Sequence, residues 1–354
     1  MLQDDFSKKL SECQSVESEL KKKFEPKKAQ SEILGECYTR LQWNNKAKRV
    51  FDCGSWLEFR QARGLSMGAP VANCAVRNGS GAPIQARPFK LSRANFCRER
   101  LCPMCSWRRS LKIFGQVSKI MEYLDNQYRY IFLTLTVPNC IPEKLSEVID
   151  DMVKGFNRLM HLKAVKGAVK GYFRVLEVTR NKRNGTYHPH FHIVLAVSCS
   201  YFDSRYYIKH DEWLRMWQQS MKDDSITQVD VRTIKNKKTG ETSGAAVGSA
   251  VAEVAKYAVK ASDYVLKSNP QLMDEIVTTL TGALGGRRLT AFSGCFKQAR
   301  EDLELDDCEN GDLIHLDGDI RNDLGQMIYK FKWSAGCYKL VSSMEIDENG
   351  EVIE

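Results

Sequence analysis

Three of the six histidines in the chain, His188, His190 and His192, fall within five residues of one another. In a β-strand, side chains two residues apart point to the same face and lie roughly 6.5–7 Å apart. Imidazoles at that spacing can share one metal ion, because each offers a ring nitrogen as a ligand. The spacing therefore predicts a metal site on one face of a strand. His188 is the weakest candidate ligand, because it stands at the strand entrance.

Glu177 lies one hairpin away from these histidines, because residues 181–185 read NKRNG and Asn-Gly is a strong turn signal. A register centred on Arg183–Asn184 places Glu177 opposite His190, and a register centred one residue later places it opposite His192. Either register brings the carboxylate to cross-strand distance from the imidazoles, whereas a loop with an odd number of residues would not. Two imidazoles and a carboxylate leave coordination positions open for water or substrate, which is typical of a catalytic metal site. By ligand softness alone, Mn, Fe or Zn would suit this set.

A second candidate site follows at residues 248–267, whose sequence pattern predicts a helix. One side of such a helix carries a glutamate, two tyrosines and two lysines: Glu253, Tyr257, Tyr264, Lys256 and Lys260. A phenol is a competent nucleophile for phosphoryl transfer when nearby cations favour its ionised form. A glutamate one turn away could handle protons or activate water. The alternative is an ordinary surface helix whose tyrosines pack through their rings.

The third chemical feature is a group of cysteines in the amino-terminal third of the chain. Cys102 and Cys105 form a CxxC pair, Cys97 precedes them by five residues, and Cys53 is a distant fourth candidate. Four thiolates are what a tetrahedral structural zinc site needs, whereas the alternative is a set of reduced, buried cysteines. Four arginines and a tryptophan surround the pair, a composition suited to phosphate contacts and base stacking: Arg98, Arg100, Trp107, Arg108 and Arg109.

The elements that must position these residues alternate along the chain. β-branched and aromatic runs predict strands at 130–137, 172–179, 188–197 and 228–234. Apolar residues at helical spacing predict helices at 142–161, 211–221 and 248–267. Because a short hairpin joins two of the strands, the sheet is at least partly antiparallel, and the predicted fold class is α+β.

The length and the charge of the chain limit the classes of protein to which it can belong. A chain of 354 residues predicts two or three structural units. Residues 301–354 carry 15 Asp and Glu against 4 Lys and Arg, so the other 300 residues carry 29 against 49, a net +20. A basic body favours an anionic partner, most simply nucleic acid. Twelve cysteines are too sparse for a secreted disulfide scaffold. With no membrane-spanning apolar run or secretory signal, we expect a cytoplasmic protein without a membrane partner.

Composition divides the chain into four expected segments. They are a polar, basic and weakly ordered amino-terminal arm, a cysteine- and arginine-rich element for zinc and DNA, a catalytic core, and a carboxy-terminal helical segment with an acidic tail: 1–50, 51–118, 119–268 and 269–354.

The motifs together resemble the replication initiators of small rolling-circle plasmids, which belong to the HUH endonuclease superfamily. FLTLT at residues 132–136 is similar to the first family motif, HPHFH at 188–192 to the His-hydrophobe-His motif, and EVAKYAVK at 253–260 to the tyrosine motif. The segments 52–54 and 97–109 also resemble the family's amino-terminal region. The resemblance covers roughly residues 45–340, and the combination of motifs is more specific than any one of them.

The resemblance implies a central five-stranded antiparallel sheet with flanking helices. It implies that His190, His192 and Glu177 hold Mg²⁺ or Mn²⁺ against the scissile phosphate of single-stranded origin DNA. Tyr257 would attack that phosphate, forming a 5′-phosphotyrosine and freeing a 3′-OH primer. Glu253 would activate water at termination. Some related enzymes use two tyrosines on one helix, which makes Tyr264 a candidate second tyrosine.

The same resemblance implies plasmid origin DNA, a host helicase and a host DNA polymerase as partners, and it is compatible with a homodimer. Two alternatives remain from the sequence. Another HUH nuclease, a transposase or a relaxase, would share the chemistry, although relaxases usually place the tyrosine before the histidines. A non-catalytic, zinc-containing DNA-binding regulator would use the cysteines and the basic charge but leave the histidines and Tyr257 without a role.

Overall fold

The structure is a computed structural model that describes residues 17–62, 76–77, 83–84, 89–234, 251, 258–316, 326–347 and 351–353. The α-helices are α1 (Glu25–Arg40), α2 (Asn44–Asp52), α3 (Pro103–Tyr123), α4 (Leu145–His161), α5 (Lys163–Ala168), α6 (His210–Met221), α7 (Pro270–Leu284) and α8 (Cys295–Asp302). The strands are β1 (Trp56–Ala62), β2 (Val76–Arg77), β3 (Pro83–Ile84), β4 (Lys90–Ala94), β5 (Arg129–Thr136), β6 (Val169–Arg180), β7 (Tyr187–Val197), β8 (Val229–Thr233), β9 (Thr290–Gly294), β10 (Gln326–Ser334), β11 (Cys337–Ile346) and β12 (Val352–Ile353). Shorter helical turns are Leu20–Phe24, Pro142–Lys144, Tyr201–Asp203 and Ala261–Asp263.

The chain divides into two compact units. The first unit combines Met1–Thr39, Trp43–Met104 and Leu313–Glu354, and the second combines Arg40–Gln42 and Cys105–Asp312. This division differs from the four expected segments. The region 269–312 groups with the expected catalytic core, and the region 313–354, which contains most of the acidic tail, groups with the amino-terminal part of the chain.

The second unit is built on a five-stranded sheet with strand order β8-β5-β7-β6-β9, in which all neighbouring pairs are antiparallel. The predicted α+β fold with a central antiparallel sheet is therefore confirmed. The residues from Ile193 to Val197 are all buried. A continuous apolar, β-branched run of this kind suits a central strand that is covered on both faces.

Helices cover both faces of this sheet. On one face, Phe132, Phe173 and Val194 belong to an apolar cluster with Val117 of α3 and Phe296 of α8. On the other face, Phe156 of α4 packs against Phe191 of β7, with ring centroids 5.6 Å apart. The second unit thus has a three-layer arrangement, with helices packed on both faces of the sheet.

The first unit has its own antiparallel sheet, with strand order β12-β11-β10-β1-β4. Helices α1 and α2 contribute buried Leu34, Tyr38 and Val50 to this unit. Even Lys28 is buried, and its ammonium group donates a hydrogen bond to the carbonyl of Phe51 at 2.5 Å. The expectation of a weakly ordered arm was therefore wrong for residues 17–50, because a mostly polar sequence conceals a narrow apolar stripe.

The helix expected over residues 248–267 does not extend through its second half. Residues 258–260 are not helical, and Ala261–Asp263 form a single 3₁₀ turn. The physical reason is a competing partner, because the carbonyl of Ala258 accepts a hydrogen bond from Val178 of β6 instead of one from the next helical turn. No helix among the described residues is long and apolar enough to cross a bilayer.

Candidate metal centre

One end of the second unit's sheet carries a cluster of three potential metal ligands. Glu177 of β6 and His190 and His192 of β7 place their ligand atoms within 4.8 Å of one another. The Nε2 atom of His192 lies 3.0 Å from Oε2 of Glu177, and the Nε2 atom of His190 lies 3.5 Å from the same oxygen. All three side chains are buried, with 4–9% of each residue exposed. The atoms therefore converge on one point rather than merely sharing a strand face.

The hairpin register explains this convergence. Glu177 pairs directly with His190 across the β6–β7 ladder, which is the first of the two registers that the loop allowed. Thr134 of β5 pairs with His192 on the other side, and Thr136 pairs with His190. Because paired residues share a face, these side chains continue the face that carries the apolar core. The sheet is thus apolar in its middle and polar at this end.

Hydrogen bonds fix the orientation of both imidazoles. The Nδ1 atom of His190 donates to the carbonyl of His188 at 3.1 Å, and this bond holds the ring with its Nε2 atom facing Glu177. The Nδ1 atom of His192 lies 3.3 Å from the hydroxyl of Thr134. Such second contacts select the tautomer and hold the ring of a metal-binding histidine. Thr134 belongs to the FLTLT segment at 132–136, but no role was predicted for it from the sequence, although a hydroxyl in a mostly apolar strand was a usable signal.

His188 occupies a different position from the other two histidines. Its ring centroid lies 5.3 Å from that of His190, and its ring nitrogens are outside the cluster of ligand atoms. Burial, followed by the nearby His190, lowers the pKa of His188. Its contribution to the site is the backbone carbonyl that orients His190.

The charge state of Glu177 is set by two opposed effects. Burial would raise the pKa of this carboxyl group, but hydrogen bonds and attraction from His190 and His192 outweigh it. The pKa of Glu177 is consequently held well below its usual range. The group is an ionised carboxylate at neutral pH and can act as an anionic ligand.

The last residues of the tyrosine motif, Ala258 to Lys260, lie beside the candidate metal ligands. The amide of Val178 donates to the carbonyl of Ala258 at 2.8 Å, directly after Glu177 in β6. The ammonium group of Lys260 lies 4.0 Å from Oε1 of Glu177, and half of the lysine side chain is exposed. A cation is therefore present at the solvent side of the cluster, where a phosphate could approach.

The other candidate residues of the 248–267 segment divide into two groups. Glu253, Lys256 and Tyr257 lie outside the residues that the structure describes. Tyr264 is described, is 1% exposed, and follows the 3₁₀ turn rather than standing on an α-helix. Burial keeps its phenol away from solvent.

The four candidate zinc ligands also come together. Cys53, Cys97, Cys102 and Cys105 place their sulfur atoms within 4.8 Å of one another, and Cys53 and Cys102 are fully buried. The amide of Cys97 donates to the sulfur of Cys53 at 3.4 Å. Amide donation to sulfur stabilises the thiolate form that metal binding requires.

The arginines around the cysteines are in varied surroundings. Arg98 is exposed, Arg100 and Trp107 are half-buried, and Arg108 is 7% exposed with its guanidinium over the Trp107 ring at 5.6 Å. The Nε atom of Arg109 donates to the carbonyl of Glu309 at 3.0 Å. Arg108 thus stacks on an aromatic ring and Arg109 hydrogen-bonds to the backbone, so both of these arginines make contacts within the protein.

Comparison with known proteins adds an independent line of evidence. A family model described as "Replication protein" matches residues 88–339. The chain is 36% identical over 317 residues to "Protein rep" of Bacillus amyloliquefaciens, a match that covers 84% of this chain and 86% of the relative. It is 41% identical over 283 residues to "Protein rep" of a Bacillus species, covering 77% and 85%, and 36% identical over 236 residues to "Protein rep" of Streptococcus pneumoniae, covering 65% and 70%.

No solved structure matches this chain significantly. The family match nevertheless spans more than half of the chain. It includes the candidate metal ligands Glu177, His190 and His192 and the cysteines from Cys97 to Cys105. The chain therefore belongs to the replication protein (Rep) family, in agreement with its resemblance to rolling-circle plasmid replication initiators.

Proposed function

We propose that this Rep protein nicks single-stranded origin DNA with Tyr257 as nucleophile and with a divalent ion held by Glu177, His190 and His192. The observation that carries the proposal is the convergence of the three ligand atoms within 4.8 Å. The hydrogen bond between the Val178 amide and the Ala258 carbonyl supports the proposal. It holds Ala258 next to Glu177 in β6, and Ala258 directly follows Tyr257 in the chain. Membership in the replication protein family supports plasmid replication as the process that the nicking reaction serves.

The reaction follows from these residues. The ionised phenol of Tyr257 attacks the scissile phosphorus, the bond to the 3′-oxygen breaks, and that oxygen takes up a proton to become the 3′-OH primer. The product is a 5′-phosphotyrosine linkage. A bound divalent ion would polarise the phosphate and stabilise the developing negative charge. Lys260, near Glu177, and Lys256, adjacent to Tyr257 in the chain, would favour the ionised phenol.

Mg²⁺ or Mn²⁺ is the proposed ion. Two imidazoles favour a softer ion than a set of oxygen ligands would, so Mn²⁺ is the better probe in vitro. The buried and ionised Glu177 supplies the anionic ligand that either ion prefers.

Termination is assigned to Glu253, which would activate the water or guide the proton needed to release the completed circle. Tyr264 is buried, which supports a mechanism with one tyrosine and one glutamate rather than two tyrosines. Host helicase and polymerase would then use the exposed 3′-OH, and a homodimer would provide a second copy of the site.

A structural zinc ion is proposed for Cys53, Cys97, Cys102 and Cys105. Four sulfur atoms that converge and are largely buried fit the closed, tetrahedral geometry of such sites. Arg98 and Arg100 are the proposed phosphate contacts next to this site, with Trp107 available for stacking and Arg108 and Arg109 as their neighbours in the chain.

The main competing function is that of an HUH transposase or relaxase. The order of the motifs, with Tyr257 after the histidines, disfavours a relaxase, and the similarity to replication proteins disfavours a transposase. A regulator that only binds DNA would not need the buried pair of Glu177 and His192, which disfavours this alternative.

The decisive experiment incubates the full chain and Mn²⁺ with single-stranded oligonucleotides that tile the origin of the encoding plasmid. The wild type should give a covalent protein–DNA adduct that carries the 3′ label, together with a free fragment that carries the 5′ label. The Tyr257→Phe variant should give neither, whereas the Tyr264→Phe variant should keep both products. An undiminished adduct in Tyr257→Phe would refute the proposal.

A further inference from the structure

The sheet of the first unit has one face that is strongly basic. Strand pairing identifies which side chains share this face, because residues directly opposite in an antiparallel ladder point the same way. Trp56 pairs with Lys332, and Lys332 pairs in turn with Lys339. Glu58 pairs with Lys330 on one side and with Arg93 on the other, and Arg60 pairs with Lys90. Six cations from four neighbouring strands therefore form the basic sheet face: Arg60, Lys90, Arg93, Lys330, Lys332 and Lys339.

Several of these side chains extend into solvent. Lys332 and Lys339 are exposed, and 67% of the Arg93 side chain is accessible. Trp56 stands at one corner of the face and is 41% exposed. The face is consequently a surface that a large ligand can approach, rather than a buried charge network.

The one acidic side chain at these paired positions is buried in the middle of the face. Glu58 is 3% exposed, accepts a hydrogen bond from Ser92 at 2.9 Å, and lies 3.5 Å from Nε of Arg60 and 3.9 Å from Nε of Arg93. A single carboxylate cannot neutralise six cations. It can hold the two arginine side chains in place, and the described residues of the face keep a large positive excess.

Two of the strand pairs place like charges directly opposite each other, Arg60 with Lys90 and Lys332 with Lys339. Directly opposed like charges destabilise a sheet. The protein therefore carries a repulsion that an anionic ligand spread over several strands would relieve. A small anion could not reach this far, because neighbouring strands are about 4.8 Å apart and the cations span four strands.

We infer that the basic sheet face binds the sugar-phosphate backbone of double-stranded DNA. The inference rests on the proposed function in one respect, namely that the protein works on a DNA origin. A duplex fits better than a single strand, because the described part of this face has six cations but one exposed aromatic ring, whereas single-strand grooves rely on repeated base stacking. The face would hold the duplex through charge and leave sequence recognition to other residues.

The test uses the full chain and a labelled random-sequence duplex, since backbone contacts do not depend on sequence. The variant Arg93→Gln/Lys332→Gln/Lys339→Gln removes three exposed cations. The matched control Lys144→Gln/Lys154→Gln/Lys297→Gln removes the same charge from exposed positions of the second unit. Binding is measured at several salt concentrations, and the logarithm of the association constant is plotted against the logarithm of salt.

The triple variant should reduce the magnitude of this negative slope by about 2–3, because each lost phosphate contact removes about 0.9, whereas the control should leave it unchanged. Arg93→Gln alone, which is easier for the fold to tolerate, should reduce the magnitude of the slope by about 0.9. An equal loss in the control, an unchanged slope in Arg93→Gln and the triple variant, or a loss confined to single-stranded DNA would each overturn the inference.

Three further measurements separate this inference from the proposed nuclease. The triple variant should still form the covalent adduct on single-stranded oligonucleotides, and the Tyr257→Phe variant should bind the duplex with the wild-type slope. Thermal unfolding should show a folded triple variant whose melting temperature rises less with duplex DNA than that of the wild type. Loss of adduct formation in the folded triple variant would contradict a role restricted to duplex binding.

Discussion

The amide of Val178 donates a hydrogen bond to the carbonyl of Ala258 at 2.8 Å, one residue beyond Glu177 in β6. The β9 strand occupies the same edge of β6 only as far as Val175. The chain at Ala258 thus continues the outer edge of β6 at the level of the candidate metal ligands. This bond ties the tyrosine motif to the strand that carries Glu177, so movements of one are expected to affect the other.

Replacing Glu177 with Gln should weaken Mn²⁺ binding by at least about tenfold, because the anionic ligand is lost. Glutamine retains an oxygen that can accept the hydrogen bond from His192, so the fold should persist. Isothermal titration calorimetry with MnCl₂ would measure the change. Glu143→Gln, at an exposed position of the same unit, is the matched control. Equal Mn²⁺ affinity in Glu177→Gln and the wild type would exclude Glu177 as a ligand.

Replacing Lys260 with Met should slow nicking and leave stability nearly unchanged. The ammonium group lies 4.0 Å from Glu177 on a half-exposed side chain, so its contribution to stability is at most about 1 kcal/mol. Single-turnover nicking and urea unfolding would report the two effects separately. Lys182→Gln, which removes an exposed partner of Asp263, should change neither quantity. A large loss of stability with normal nicking would assign Lys260 a structural role instead.

Replacing Cys102 with Ser should remove the zinc ion and destabilise the first unit. The wild-type chain should contain about one equivalent of zinc, measured by inductively coupled plasma mass spectrometry, and the variant should contain much less. Cys37→Ser is the control, because Cys37 is equally buried in the same unit but lies outside the cluster. Retention of zinc in Cys102→Ser, or its loss in Cys37→Ser, would argue against the assignment.

Replacing Glu309 with Ala should destabilise the second unit by about 2–4 kcal/mol, because three buried donors lose their acceptor. Glu309 is 5% exposed and accepts hydrogen bonds from the amides of Leu289 and Thr290 and from the Thr290 hydroxyl, at 2.7–2.9 Å. The free energy of unfolding in urea measures the effect. Glu301→Ala, which removes an exposed carboxylate near Lys297, should cost less than about 0.5 kcal/mol. Similar values for both variants would contradict this account.

The metal cluster was predictable because its determinants are local. The alternation of histidines fixes their shared face, and both registers of an even-membered loop at the Asn-Gly turn bring Glu177 close, whereas an odd-membered loop would not. Part of the cysteine cluster was predictable because Cys102 and Cys105 form a CxxC pair. Cys53 lies 49 residues before Cys102, so the sequence could offer it only as a candidate fourth ligand.

Features that depend on distant partners were not predictable in the same way. Trp56 pairs with Lys332, but nothing in the sequence of either strand indicates that the two strands are neighbours. Residues 258–260 have helical propensity, but a hydrogen bond to β6 overrides it. Glu309 belongs to a region that composition alone marks as an acidic tail, yet its carboxylate is an internal acceptor.

The separation of β4 and β10 in the chain sets an order of events during protein synthesis. Cys105–Asp312 lie between these two strands, so the ribosome delivers the whole second unit before β10 can take its place beside β1. Until then, one edge of β1 exposes unpaired amide and carbonyl groups, which is a known liability for aggregation. A nascent chain halted before Gln326 would already contain every proposed metal ligand, yet it would lack the strands that complete the basic sheet face.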